Sequence, residues 1–412
     1  MTTGSPLFSL QKKRVYIRTF GCTYNAGDSR KLASVLEAQG CVLVADPAGA
    51  DAIVVNTCTV VGPTQIKVLR ELRELQGYTR APLYVTGCMP LVQESDIREV
   101  CTPVFIHSSE IHEAYRRVTR VPAGPVGIVQ ACQGCLGECT YCITRLARGR
   151  LVSMSREEVV SETERLVQAG AVEVQLTGQD VSAWGRDRQE TLGDLLRALD
   201  SLGGRFMVRA GMMNPATLHP IAGEVAAAFR LQKVFSSLHL PVQSGSAGIL
   251  ARMKRGYTPT DVETIVETFS RAVPGFSLTT DVICGYPGES EEDFLATLDL
   301  LERIAPDRVN ITRYSPRPGT PASREKDMPD RIKKGRSRRL REFAEGIARE
   351  KNAPWIGRVV SVLVTEHPRP GSSMARTKDY RGVVLQGNYA PGTVLSVRLL
   401  DDRIYYFTGE PV

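Results

Sequence analysis

Apolar residues in this chain fall into short runs separated by longer stretches with a helical repeat. Between residues 14 and 120, positions 15–20 read as a strand, and 28–39 carries Leu32, Val35 and Leu36 at helical spacing, with Asp28 placed to cap that helix. Residues 52–56 form a short buried strand, 65–75 sets Ile66, Leu69, Leu72 and Leu75 on one helical face, and 83–86 is a further strand. Strand and helix in alternation predict a small parallel sheet covered by helices on both sides.

A Pro/Gly-rich stretch, 121–127, then marks a boundary. The rhythm resumes with candidate strands at 127–130, 172–177, 206–210, 234–238, 278–284 and 308–313. Helical patterns lie between them, as at 156–169, 192–202, 260–272 and 291–304. Six such units predict an open (β/α)6 barrel with its active site at the carboxyl ends of the strands. From about residue 354 the pattern shortens to strands at 359–365, 380–385, 394–399 and 404–408, joined by Gly/Pro turns. That is the signature of a small β-barrel of the nucleic-acid-binding sort, or of a structural appendage. The expected organisation is an α/β protein of three domains, 14–120, 126–351 and 353–412.

Composition changes this picture little. The chain has 412 residues, 42% hydrophobic and 24% charged, as expected of a globular protein. No apolar run approaches the roughly 18 uncharged residues of a membrane span, and the first fourteen residues lack the apolar core of a secretory signal. A cytoplasmic protein with reduced thiols and no membrane partner is expected. Charge is more informative. Residues 313–351 hold thirteen Lys/Arg against six Asp/Glu, which accounts for the whole net charge of +7. Seven cations lie between 331 and 341, among them Lys333, Lys334, Arg336, Arg338, Arg339 and Arg341. They form either a solvated helix face or a patch for RNA phosphates.

The cysteines carry the chemistry. Cys132, Cys135, Cys139 and Cys142 fall within eleven residues, just after the first strand of the second domain. Spacing this dense in a long chain predicts a metal or iron–sulfur nest, not a disulfide frame. Four of them suit zinc or a closed cluster; three leave one iron of a cubane open for a substrate or cofactor. Cys132 lies at a strand end before the Gly134 bend, poorly placed to converge with the others. In the first domain Cys22, Cys58 and Cys88 each stand just past a predicted strand. Parallel strands end on one edge, so three cysteines distant in sequence are expected to meet there as a three-thiolate site. Cys41, Cys101 and Cys284 read as core residues, His239 as a structural histidine, and Trp184 and Trp355 as packing residues.

The run Cys135-x3-Cys139-x2-Cys142, with Tyr141 before the last cysteine, resembles the radical S-adenosylmethionine (SAM) superfamily. The resemblance implies that these three cysteines hold a [4Fe–4S] cluster whose open iron chelates SAM. Reductive cleavage then yields a 5′-deoxyadenosyl radical, with no side chain acting as catalyst. Residues 177–180, which include Gly178, Gln179 and Asp180, resemble the segment that contacts the methionyl amine. Residues 208–214, with Arg209, resemble the ribose and carboxylate region, and 282–288 the adenine region. Tyr141 completes the SAM-contact set. The full architecture, with the stretches 239–246, 253–258 and 314–321, resembles the methylthiotransferases. In that family Cys22, Cys58 and Cys88 would hold a second [4Fe–4S] cluster that carries sulfur, and the C-terminal barrel would be an RNA-binding TRAM domain. The loop 134–149 looks most like the archaeal and eukaryotic branch, which converts N6-threonylcarbamoyladenosine, 3′ of the anticodon in tRNA, to its 2-methylthio form.

The resemblance therefore implies two clusters, SAM, a tRNA anticodon loop, an external electron donor and a sulfur source, in a monomer. Two clusters suit the reaction, because adenine C2 bears an unactivated C–H bond that a radical, but no side-chain base, can usefully attack. The target base must also be splayed out of its loop to reach a barrel mouth. Methylthiolation of an N6-isopentenyl-type adenosine or of a ribosomal-protein aspartate, and a non-enzymatic zinc-bound RNA-binding protein, are the alternatives.

Overall fold

Strand propensity and periodicity translate directly into the first layer of structure. A computed structural model of the chain describes residues 5–78, 80–119, 121 and 123–412. Residue 120, where the expected first domain ends, and residue 122 of the expected boundary at 121–127 lie outside the described residues, as do the first four of the N-terminal stretch. The chain divides into two units: one takes the chain before Ala123 together with Tyr141–Arg150 and Ser315–Arg324, the other takes Ala123–Thr140, Leu151–Tyr314 and Glu325–Val412.

The first unit is built on β1 (Arg14–Thr19), β2 (Val42–Val44), β3 (Ala52–Thr57), β4 (Leu83–Gly87) and β5 (Val104–Phe105), in the order β2-β1-β3-β4-β5 and parallel throughout. Every residue of β3 and β4 is buried, as befits central strands covered on both faces. The covering helices include α1 (Thr23–Ala38), α2 (Gly62–Tyr78), α3 (Glu94–Arg98) and α4 (Ser108–Tyr115), with α5 (Ile143–Arg148) contributed from further along the chain.

Two expectations are corrected here. Asp28 does not cap a helix: α1 starts at Thr23 with Cys22 as its N-cap, and Asp28 is buried inside it. On α2, Val68, Leu72 and Leu75 face the core, but Ile66 is 70% exposed. The short strands β2 and β5 and the helices α3 and α4 lie outside the elements expected from the sequence, because each is too short to show a period.

The second unit holds β6 (Val126–Gln130), a two-stranded ribbon of β7 (Cys132–Gln133) and β8 (Val152–Ser153), then α6 (Arg156–Gln168), β9 (Glu173–Thr177), α7 (Leu192–Asp200), β10 (Met207–Arg209), α8 (Pro215–Leu218), α9 (Ala222–Ala228), β11 (Ser237–His239), α10 (Ala247–Arg252), α11 (Pro259–Ala272), β12 (Ser277–Cys284), α12 (Glu291–Ile304) and β13 (Arg308–Arg313). Strands β6, β9 and β10 pair in parallel, as do β11, β12 and β13, and a parallel bridge from Val208 to Val234 joins the two sheets into a six-stranded open barrel. Burial alternates along β12, so one side packs on helices and the other faces the lumen. Ser155, Thr191, Thr258 and Ser290 close capping boxes at the starts of α6, α7, α11 and α12, fixing where the chain turns from strand edge to helix.

The long helix α13 (Asp330–Asn352) leads into a closed barrel of β14 (Val359–Arg369), β15 (Ser372–Arg376), β16 (Gly382–Gln386), β17 (Val394–Asp402) and β18 (Tyr406–Pro411), in the order β14-β15-β16-β18-β17. Its fifth strand, β15, was not expected; Ser-Ser-Met-Ala-Arg has too little β-branched character to announce it. The loop 377–381 of this barrel seats against the amino ends of the larger barrel's strands. Lys378 Nζ donates to the carbonyls of Leu231, Gln232 and Val234 at 2.7, 2.9 and 2.6 Å. Tyr380 donates its hydroxyl to Glu173 at 2.6 Å, and Arg381 pairs with Asp307 at 2.7 Å. No described helix is long and apolar enough to cross a membrane.

Candidate functional site

In the first unit the three cysteines arrive at one sheet edge by topology. Cys22 follows β1, Cys58 follows β3 and Cys88 follows β4, and these three strands are neighbours in the sheet. Two glycines permit the approach. Gly21 (φ +110°) has no room for a side chain, since a Cβ there would lie 2.8 Å from that of Cys58; at Gly87 (φ +95°) it would lie 2.4 Å from the Thr57 carbonyl. Asn25, buried in the first turns of α1, ties the edge together. Its Nδ2 donates to the carbonyls of Phe20 and Thr57 at 2.9 and 2.8 Å, while its Oδ1 accepts from Arg148 at 2.9 Å.

Arg148 is the least expected member of this site. Its side chain is 1% exposed; Nε donates to Cys88 Sγ at 3.3 Å and Nη2 to Asp28 Oδ2 at 2.7 Å, over the ring of Tyr24. Asp28 in turn meets His112 Nε2 at 2.8 Å. A second buried arginine, Arg317, donates to Thr59, Gln65 and Gln93 through Nη2, and its Nε is a buried donor without a partner. Burial raises the Cys58 thiol, and it pushes the Cys88 thiol up to about 11 against the opposing charge of Arg148. The three thiols interact electrostatically with one another, Arg148 acts on Cys58 and Cys88, and Arg317 interacts with Cys58. A set of sulfur donors at one edge, with buried cations beside them, suits an anionic thiolate-bound cluster. All ten cysteines are free.

In the second unit residues 132–140 of the motif loop are held by backbone and side-chain bonds. Gly134 N donates to Gln179 Oε1 at 2.6 Å, which sets the bend (φ +77°). Gly137 N donates to Cys135 Sγ at 3.3 Å, and a Cβ at Gly137 would stand 3.5 and 3.6 Å from the Cys135 and Cys139 sulfurs, so both sulfurs border the same space. Arg255 donates to Cys139 Sγ at 3.1 Å, to Asn214 Oδ1 at 3.2 Å, to the Pro241 carbonyl at 3.2 Å and to the Tyr257 hydroxyl at 2.9 Å. Thr140 anchors the loop on the Arg252 carbonyl and the Tyr286 hydroxyl. Cys132 faces the core at 1% exposure, its thiol raised by burial, with its sulfur on the Asp180 carbonyl. Cys142, half-buried, is the N-cap of α5. Among the described residues no three Cys, His, Asp or Glu close on a point where a single ion would sit; a cubane spreads its thiolates wider, one to each iron.

The expected SAM-contact residues divide. Gly178 is required by packing, because a Cβ there would lie 2.5 Å from Cys132 Sγ. Gln179 positions the cysteine loop. Asp180 is 1% exposed, and its oxygens take the Asn214 amide and the hydroxyls of Ser182 and Thr217, so it ties strand ends together. Burial raises its carboxyl. Arg209 lies at the end of β10, stacked 4.9 Å from the ring of Tyr380, and Tyr141 is half-buried.

The basic run is also corrected in part. Lys333 is buried between the Tyr314 carbonyl and Asp327, and Arg336 is buried against Glu289 at 2.5 Å, so these two seat α13 and are not a phosphate-reading surface. Lys334, Arg338, Arg339 and Arg341 remain exposed, with Lys334 on Asp330 and Arg339 on Glu291.

The residues read as structural are packed or hydrogen-bonded within the fold. His239 bonds Asp281 at 2.7 Å, and Asp281 also accepts from Asn310; burial opposes the Asp281 charge, but His239, Asn310 and the charge of Arg255 together hold the carboxyl below its ordinary value. Trp184 is buried on the Met154 carbonyl, Trp355 packs on the small barrel, and Cys41, Cys101 and Cys284 are buried. Sequence reasoning missed Arg148, Arg255, Arg317 and Asn25. Arg148, Arg255 and Arg317 lie in the stretches 134–149, 253–258 and 314–321 singled out above, but nothing in those stretches marks them as partners of a sulfur or of the site; Asn25 lies in none of them.

Residues 14–106 match the "Uncharacterized protein family UPF0004", and 129–301 match the "Radical SAM superfamily". The chain is 37% identical to a probable threonylcarbamoyladenosine tRNA methylthiotransferase of Methanothermobacter thermautotrophicus, covering 96% of this chain and 99% of that one. Against the protein of the same description in Archaeoglobus fulgidus it is 35% identical, with 96% and 98% covered. A tRNA-2-methylthio-N(6)-dimethylallyladenosine synthase of Carboxydothermus hydrogenoformans is 32% identical over 97% of this chain and 99% of that one. Among solved structures, the radical SAM methyltransferase TsrM of Kitasatospora setae shares the fold, with a TM-score of 0.52, 17% identity and 75% of each chain covered. Two separate thiol sites on these folds, and relatives matched from end to end, place the chain in the radical SAM tRNA methylthiotransferase family.

Proposed function

We propose that the protein converts N6-threonylcarbamoyladenosine, next to the anticodon of tRNA, to its 2-methylthio derivative. The observation that carries this reading is the second thiol site. Hydrogen abstraction alone needs one cluster, whereas Cys22, Cys58 and Cys88 are equipped for another, and the relatives at 35 and 37% identity over 96% of the chain are both described as threonylcarbamoyladenosine enzymes. Cys135, Cys139 and Cys142 would hold the SAM-binding cluster, and Cys22, Cys58 and Cys88 the other. When bound, these groups supply one-electron chemistry at the adenine C2–H bond and the sulfur to be inserted.

The chain's own residues do the positioning. Gln179 and Gly137 shape the loop, Arg255 lays a positive charge on the Cys139 sulfur, and Tyr141 would border the SAM site, whereas the Arg209 guanidinium is turned toward Tyr380 at the amino ends of the strands. Lys334, Arg338, Arg339 and Arg341, with the C-terminal barrel as a TRAM-like module, would hold the RNA backbone and make binding salt-sensitive. An external electron donor, a sulfur source, a cytoplasmic location and a monomeric state belong to the same reading, as does the division of labour among 14–120, 126–351 and 353–412.

Incubation of the reconstituted protein with SAM, reductant and tRNA tests it, with nucleoside analysis by mass spectrometry. The methylthio product is expected on threonylcarbamoyladenosine. Product only on a dimethylallyl-bearing tRNA, or only on a ribosomal protein, overturns the reading.

A further inference from the structure

Arg148 is not explained by anything said so far of the reaction. It lies six residues after Cys142, at the far end of the short helix α5 that Cys142 caps, yet its guanidinium ends on the sulfur of Cys88. The whole arrangement lies within one unit, since Tyr141–Arg150 belongs with the N-terminal sheet. A buried arginine is costly unless its charge is used or matched. Here it is partly matched by Asp28 at 2.7 Å, and oriented by Asn25 at 2.9 Å and the Tyr24 ring. Asp28 takes Nη2 while Nε faces the sulfur, so the positive end of this pair points at Cys88 and the negative end points away, toward His112.

Hydrogen bonds to ligand sulfurs and nearby positive charge stabilise the more negative, reduced form of an iron–sulfur cluster, and so raise its reduction potential. We propose that Arg148 is a positioning residue for the N-terminal cluster, one that raises its reduction potential through the Cys88 sulfur while Asp28 limits the size of that effect. The inference rests on the reading of Cys22, Cys58 and Cys88 as cluster ligands. It adds that the helix leading out of the radical SAM motif sets the electronic state of the sulfur-carrying site. The two residues therefore act in opposite senses: loss of the arginine lowers the potential, and loss of the aspartate charge raises it. A role in packing alone predicts no such opposition.

The test uses the full chain with C135A/C139A/C142A, which leaves the N-terminal site as the sole cluster site. Anaerobic reconstitution is followed by iron and sulfide assay and by titration with dithionite, monitored by electron paramagnetic resonance. The parent is expected to bind about one four-iron cluster. Arg148→Gln is expected to titrate at a lower midpoint potential than the parent, Arg148→Lys between the two, and Asp28→Asn above the parent. A parent that binds no cluster overturns both the ligand assignment and this inference. A parent that binds one, with Arg148→Gln unchanged or Asp28→Asn shifted in the same direction as Arg148→Gln, overturns the inference alone. If Arg148→Gln does not retain the cluster, Asp28→Asn decides: an upward shift supports the proposal, and no shift or a downward one overturns it.

Discussion

The two cysteine sites of this protein are built in opposite ways. At the N-terminal edge, Cys22, Cys58 and Cys88 come from three strands and are brought together by parallel pairing; in the central loop Cys135, Cys139 and Cys142 lie within eight residues. Each site nonetheless has a buried arginine donating to one sulfur, at 3.3 Å from Arg148 to Cys88 and 3.1 Å from Arg255 to Cys139. The difference is in what else those arginines touch. Arg148 shares its charge with the carboxylate of Asp28. Arg255 donates to neutral acceptors, Asn214 Oδ1 and the Pro241 carbonyl, and also acts on the charges of Asp180 and Asp281. The lesson is that a site assembled from distant strands contains its own counter-charge, whereas a local loop borrows a cation from the barrel wall.

The largest expected effects separate the two sites by function. Cys139→Ala is expected to abolish reductive cleavage of SAM. Cys58→Ala is expected to retain release of 5′-deoxyadenosine while losing the methylthio product. Chromatography of both products checks this, and loss of both activities in Cys58→Ala would break the comparison.

The next effect concerns stability of the cluster-free protein. Arg148→Met leaves the Asp28 carboxylate buried without its guanidinium, still against His112, at an expected cost of about 3 to 5 kcal/mol. Arg255→Met leaves neutral groups unpaired and should cost less, about 2 kcal/mol. Denaturant unfolding compares them. The double change Arg148→Met with Asp28→Asn should recover much of the loss, whereas additivity would show that the pair is not coupled.

Smaller effects ask how far the central site reaches. Tyr380→Phe removes the hydrogen bond to buried Glu173, for about 1 to 2 kcal/mol, while leaving the ring that stacks on Arg209. Smallest is the surface of α13. Lys334→Ala breaks an exposed pair with Asp330 and should change stability by no more than about 0.5 kcal/mol. In tRNA-binding titrations at several salt concentrations, each of Arg338→Ala and Arg341→Ala should reduce the salt slope by roughly 0.7 to 0.9 for every phosphate left without its cation.

Much of the architecture is legible in the chain itself. The alternation of apolar runs and helical periods located the three main parallel strands of the first sheet and the six strands of the open barrel, because burial on both faces makes those runs continuous. Cysteines placed after strands were readable for the same reason: a parallel sheet aligns carboxyl ends whatever the intervening sequence. The dense loop was readable through spacing alone. What escaped were features whose signal is weak or non-local. Strand β15 and the short edge strands β2 and β5 are set by their neighbours. Asp28 looked like a helix cap because a carboxylate before an apolar stripe satisfies that pattern, while its real partner, Arg148, lies 120 residues away. Lys333 and Arg336 were indistinguishable from exposed cations until their burial against Asp327 and Glu289 was seen.

The sequence by itself determined the order of elements, the position of both cysteine sets and the family, since these depend on period, spacing and local residue type. The tertiary structure alone decided which charges face which sulfur. Electrostatic partnership depends on distances across the fold, and no local pattern links Arg148 to Cys88 or Arg255 to Cys139. The cysteine positions were written along the chain; the environment that tunes them exists only once the strands have brought their ends together.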